Sequence, residues 1–301
     1  MAATGESNAP LPDVDSAESS VREVNGTRLH VVRAGEPDDP LVVLLHGFPE
    51  FWYAWREYVD GFVSAGYRVV VPDQRGYNRS GKPVGIRSYR LGTIASDVVS
   101  LIEAEGRDRA AIVGHDWGAN VAWDVSLRYP ESVASLGVVN NAHPVVYHRT
   151  VRRDLTQFRR SWYGLFFQLP RLPEWYLSRN DFAPIVHQMR NAALPDAFTE
   201  TDFTRYRRAW SEPRAMHSML DWYRAFLRLR DVPDRRRVDV PTLIVWGDND
   251  HTMVPSMAER SAAYCDSGTV ERFPDGTHWI LREYPDRVLM ALLDHLDRHY
   301  R

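Results

Sequence analysis

From about Val21 onward, short and almost wholly apolar runs alternate with longer segments in which apolar residues recur every three or four positions. LVVLLHG (41–47), YRVVVPDQRG (67–76), AAIVGHD (110–116), SLGVVNN (135–141) and PTLIVWGDND (241–250) are runs of the first kind. Each ends in glycine or polar residues, the pattern of a strand covered on both faces. Residues 52–65, 93–105 and 118–129 have the length of helices. Ahead of them, VREVNGTRLHVVRAG predicts two strands around the turn Asn25-Gly26, a strong hairpin signal. Strands alternating with helices predict an α/β fold, a mostly parallel sheet flanked by helices.

After Asn141 the rhythm breaks for roughly ninety residues. FRRSWYGLFFQLP, RYRRAWS and MHSMLDWYRAFLRL read as aromatic-rich helical segments, separated by prolines at 170, 173, 184, 195 and 213. Strand rhythm resumes at 240, with a last strand at 269–273 and a closing helix at 285–299. The predicted organisation is a core of residues 21–143 and 234–301 with a helical cap, 144–233, inserted into it. Residues 1–20, acidic and without an apolar stretch, read as a disordered tail rather than a signal peptide.

Composition narrows the picture. With 301 residues the chain is long enough for one large domain with an insertion. A net charge of −3 gives no reason to expect nucleic acid or an anionic membrane as partner, and no apolar run is long enough to predict a membrane span. The single cysteine, Cys265, excludes an internal disulfide framework and fits a reducing compartment, so a cytoplasmic location is expected. The arginine clusters at 152–160 and 235–237 read as solvated surface. Eleven histidines are present but none in a metal-ligand pattern, and neither metal nor organic cofactor is expected.

Chemistry concentrates at the carboxyl ends of the predicted strands, where open parallel sheets place their active sites. HGFP (46–49), GHDWG (114–118), GDND (247–250) and DGTHW (275–279) all stand at or just beyond strand ends. GHDWG has the glycine spacing of a turn that displays a nucleophile, but it displays Asp116 where a serine is familiar. Nucleophile, acid and histidine then follow in the order Asp116, Asp248 or Asp250, His278, and spacing alone does not separate the two acids. An intact set of this kind argues against a non-catalytic ligand-binding protein, and the missing serine argues against an esterase.

HGFPEFWYAW, DQRGYNRSGKP, GHDWGANVAW, SWYGLFFQLP, DWYRAF, and WGDND followed by GTHW resemble the epoxide hydrolases of the α/β-hydrolase superfamily over nearly the whole chain from residue 22. The resemblance implies the α/β-hydrolase fold, Asp116 as nucleophile, His278 as base and Asp250 as the acid that orients it. It implies Tyr163 and Tyr223 as proton donors, and the backbone N–H groups of Phe48 and Trp117 as an oxyanion hole. Pro49 matches a position often cis in the family. Trp52, Trp162 and Phe167 are candidate pocket walls. The expected partners are a small-molecule epoxide and water, in a monomer or a homodimer. The rival reading is a haloacid or haloalkane dehalogenase with the same triad. Against it, HGFP lacks the halide-binding asparagine of haloalkane enzymes, Trp117 stands where haloacetate enzymes carry arginine, and VVNNAHP offers no carboxylate.

Overall fold

The computed structural model describes residue 14 and residues 17–300. An antiparallel hairpin, β1 (Glu18–Val24) and β2 (Thr27–Ala34), turns at Asn25 and Gly26, both with positive φ (44° and 69°), as a tight hairpin turn requires. The first strand therefore starts three residues earlier than expected. Most of the predicted tail lies outside the described residues.

Next come β3 (Leu41–Leu45), a 3₁₀ turn (Trp52–Trp55) leading into α1 (Arg56–Ser64), β4 (Arg68–Pro72), α2 (Leu91–Ala104), β5 (Ala110–His115), α3 (Trp117–Arg128) and β6 (Val133–Val139). The sheet is completed by β7 (Thr242–Gly247) and β8 (Gly268–Phe273). Its eight strands run in the order β1-β2-β4-β3-β5-β6-β7-β8, parallel throughout except for the hairpin edge. Strands β3, β4, β5 and β7 are buried at every position, which is why they read as continuous apolar runs rather than alternating ones.

Between β6 and β7 every named element is a helix: α4 (Pro144–Arg153), α5 (Leu155–Arg160), α6 (Trp162–Phe166), α7 (Leu172–Ala192), α8 (Glu200–Trp210) and α9 (Ala215–Arg228). The segment read as one helix, FRRSWYGLFFQLP, is thus two short ones. α7 is itself broken, because Arg179–Phe182 leave helical geometry just before Pro184. After β7 come α10 (Met257–Ala262), α11 (Ile280–Glu283) and α12 (Pro285–His299). Among the described residues no helix is long and apolar enough to cross a membrane.

Candidate active site

β5 ends at His115 and α3 begins at Trp117, so Asp116 alone makes the turn. It does so with φ 50° and ψ −117°, a conformation costly for a residue with a side chain and characteristic of functional turns. The flanking glycines make the turn possible. A Cβ on Gly114 would strike the backbone of Gly118, and one on Gly118 would strike the carbonyl of Leu45. Asn141 braces the same turn from the end of β6, its Nδ2 donating to the Asp116 carbonyl at 2.9 Å.

The displayed carboxylate is asymmetric. Oδ1 accepts from the Phe48 N–H at 2.8 Å, while Oδ2 lies 3.5 Å from His278 Nε2. The peptide between Phe48 and Pro49 is cis. Trp117, the other expected donor, is the first residue of α3, where a backbone N–H has no partner within the helix.

His278 is 3% exposed and stands just after β8. Its Nδ1 is 2.8 Å from Asp250 Oδ2, and Asp250 Oδ1 accepts from the Thr252 N–H at 2.6 Å and the Thr252 hydroxyl at 2.7 Å. The structure thus separates the two acids that spacing left open. Asp248 instead pairs with Arg272 at 2.6 Å. Burial by itself would lower the His278 pKa, but the carboxylates of Asp250 and Asp116 outweigh it and hold the imidazole well above the ordinary histidine value. Burial likewise pushes the Asp116 and Asp250 pKa values up, and His278 with the local N–H donors more than reverses that, so both carboxyls sit below their usual range.

Asp250→Asn should cut turnover on the order of 10³-fold, because it loses both the charge and the tautomer control. Asp248→Asn should stay within severalfold of wild type. Steady-state rates of the two variants check this, and a larger loss in Asp248→Asn would reverse the assignment.

Above Asp116 lies a cavity of about 160 Å³ lined by Asp116, Trp117, Tyr163, Tyr223, Tyr147 and Phe226 among others. The rings of Tyr163 and Tyr223 are 5.9 Å apart at 77°, and Tyr223 packs edge-on against Trp117 at 4.8 Å. Burial raises both phenol pKa values well above the ordinary one, and the negative charge on Asp116 adds to it, so both hydroxyls hold their protons.

The expected pocket walls fare differently. Trp162 is 62% exposed, and Trp52 is buried elsewhere with its N–H donating to Asp73 Oδ1 at 3.0 Å; neither lines the cavity. Phe167 sits behind the wall, packed on Tyr223 at 4.9 Å and Phe48 at 5.9 Å. The walls that sequence reading missed include Tyr147 and His148 on α4 and Phe226 on α9, where His148 stacks on Phe226 at 5.4 Å. The one available signal was DWYRAF, in which Phe226 lies three residues, about one turn, beyond Tyr223.

A family model described as alpha/beta hydrolase fold matches residues 40–285. The AB hydrolase superfamily protein YfhM of Bacillus subtilis is 39% identical over 94% of this chain and 99% of its own length. Epoxide hydrolase 4 of Mus musculus is 36% identical over 88% of this chain and 75% of its own. Among solved structures, an epoxide hydrolase of Bacillus megaterium bound to an inhibitor superposes with a TM-score of 0.84 at 30% identity, covering 92% of this chain and 99% of that one.

Proposed function

This chain belongs to the alpha/beta hydrolase fold family, and from that premise we propose that it is an epoxide hydrolase, converting an epoxide and water to a vicinal diol through an ester on Asp116. The observation that carries the reading is the meeting of a carboxylate and two protonated phenols, Tyr163 and Tyr223, in one cavity.

A carboxylate needs no base to attack an sp³ carbon, since it is ionised near neutral pH, and Asp116 is held below even the unperturbed value of about 3.9. With Oδ1 fixed by the Phe48 N–H, Oδ2 is the oxygen left to attack. Ring opening expels an alkoxide, a poor leaving group until it is protonated. A phenol that keeps its proton supplies one as the C–O bond breaks, and Tyr163 and Tyr223 fill that role.

Ester formation then changes the electrostatics of the base. Before attack, two carboxylates hold His278 well above its ordinary pKa, so it is protonated. Esterification removes the charge on Asp116. Burial then has only Asp250 to oppose it, and His278 moves toward the neutral form that can take a proton from water. Water attacks the ester carbonyl, and the charge on Oδ1 falls to the Phe48 and Trp117 N–H groups; one such donor is typically worth about 2.7–4 kcal/mol.

In this reading residues 144–233 act as a cap over the core of 21–143 and 234–301, with the cytoplasm as the location that a lone cysteine suggests. The test is diol formation across a panel of epoxides, with single and double Tyr→Phe variants at 163 and 223. Each single change should slow ring opening about tenfold to a hundredfold, and the double change on the order of 10³-fold. A double variant that opens epoxides at near wild-type rate would remove the phenols from the mechanism.

A further inference from the structure

Among the described residues, eight of the twelve large apolar side chains left exposed fall between Leu155 and Tyr176, so the exposed apolar surface is gathered on one stretch of the helical insertion. Leu155, Phe158, Trp162, Leu165, Leu169 and Leu172 follow one another at intervals of three or four residues. Leu155 and Phe158 lie on α5, Trp162 and Leu165 on α6, Leu169 in the connection that follows and Leu172 at the start of α7, and all six are exposed. The strip is continuous with the active site. Phe158 (51% exposed), Leu165 (58%) and Leu227 (51%) all line the cavity that contains Asp116. Phe158 and Val151 also line an open groove next to it, together with Arg152, Arg153 and Leu155.

Charge singles out the same stretch. Residues 144–190 carry eight arginines and no lysine against three acids, Asp154, Glu174 and Asp181, a local charge of +5 in a chain of net −3. Those acids are already engaged: Asp154 caps α5, Glu174 pairs with Arg224 at 2.8 Å, and Asp181 with Arg207 at 3.2 Å. Exposed Arg152, Arg153, Arg159 and Arg171 make no ion pair among the described residues. The chain-wide charge is an average that conceals this face.

We propose that this arginine-flanked apolar face docks on an anionic lipid surface and holds the cavity mouth against it. Exposed leucine and tryptophan suit the boundary between headgroups and acyl chains, and each arginine gains from a negative leaflet. A second copy of the chain fits the face less well. A two-fold contact would bring two faces of local charge +5 together and would stopper the mouth formed by Phe158, Leu165 and Leu227. Lipid leaves the mouth in contact with a phase that dissolves apolar epoxides. That last consequence rests on the proposed function; the docking does not.

The test is flotation of the whole chain with phosphatidylcholine vesicles containing about 30% phosphatidylserine, with pure phosphatidylcholine vesicles as reference. Binding should be at least about tenfold stronger on the anionic vesicles and should fall away near 0.5 M salt, where exposed charges more than roughly 4 Å apart are largely screened. Arg152→Glu with Arg153→Glu, and separately Leu172→Gln with Trp175→Gln, should each weaken it by about tenfold or more. Both variants should keep wild-type turnover of a water-miscible epoxide in buffer. Wild-type protein that does not float with the anionic vesicles, or variants that float as well as wild type, would overturn the proposal. So would a dimer seen by light scattering that the same variants dissociate, with no vesicle binding, since a second copy would then cover the face. Vesicle binding without epoxide turnover would support the docking and count against the enzymatic reading alone.

Discussion

Asp116→Ala is expected to abolish diol formation, with a loss on the order of 10⁵-fold, equivalent to about 7 kcal/mol of transition-state stabilisation. Loss of the attacking oxygen leaves neither half-reaction available. The tyrosines can still polarise an epoxide, but nothing attacks the carbon. Asp116→Asn separates charge from shape, because its amide oxygen can still accept the Phe48 N–H that now meets Oδ1 at 2.8 Å. Its loss should be comparable, which would show that the carboxylate as nucleophile, rather than the volume of the side chain, sustains turnover.

The same variant carries an electrostatic readout. Asp116 is one of the two carboxylates that raise the His278 pKa, so neutralising it should let burial draw that pKa down. The sign is definite: in Asp116→Asn the imidazole should lose its proton at lower pH than in wild type, as read by NMR titration of the ring. Asp116→Asn is thus a mimic of the neutral ester. A histidine that titrates at the same pH in both proteins would leave no charge release to prime the base. Circular dichroism melts of both variants guard against a folding defect, since position 116 has a positive φ, which asparagine tolerates better than alanine.

Which parts of this site the sequence disclosed follows from what each depends on. Asp116, Asp250 and His278 stand at or just beyond the ends of strands β5, β7 and β8, and strand ends are legible because a buried strand is a short apolar run that stops abruptly. The choice of Asp250 over Asp248 was not legible from spacing. It depends on which way two neighbouring loop residues turn, and the structure shows one meeting His278 and the other Arg272. The pocket walls were least legible. Trp162 and Tyr163 are consecutive in a five-residue helix, about 100° apart around its axis. A helix that short has no stripe from which to read its inward face, and the structure turns Tyr163 to the cavity and Trp162 to the exterior. Four non-helical residues interrupt α7 in the same way, without a sequence period to betray it.

His278→Gln should stop the cycle halfway, and the stop is directly observable. Attack by Asp116 needs a carboxylate and a proton donor, both of which survive the change; only the base for water is gone. Turnover should therefore fall on the order of 10⁵-fold while one equivalent of substrate is consumed in a burst. Intact-protein mass spectrometry of the variant with a mixed panel of epoxides and halogenated acids and alkanes should show a gain equal to a whole epoxide, because addition to the ring expels no atom. Combining His278→Gln with Asp116→Ala should erase the gain and locate the ester. A gain equal to a halogenated substrate less hydrogen halide would make the chain a dehalogenase and reduce Tyr163 and Tyr223 to cavity walls. Loss of the Asp116–His278 ion pair also lets burial push the Asp116 pKa upward, since His278 is the main group that holds it down. Ester formation in the variant should accordingly become slower as pH falls, at pH values where wild-type Asp116 is still ionised. The rate of mass gain against pH measures that shift. A rate that followed the wild-type profile would mean that His278 contributes nothing to keeping the nucleophile charged.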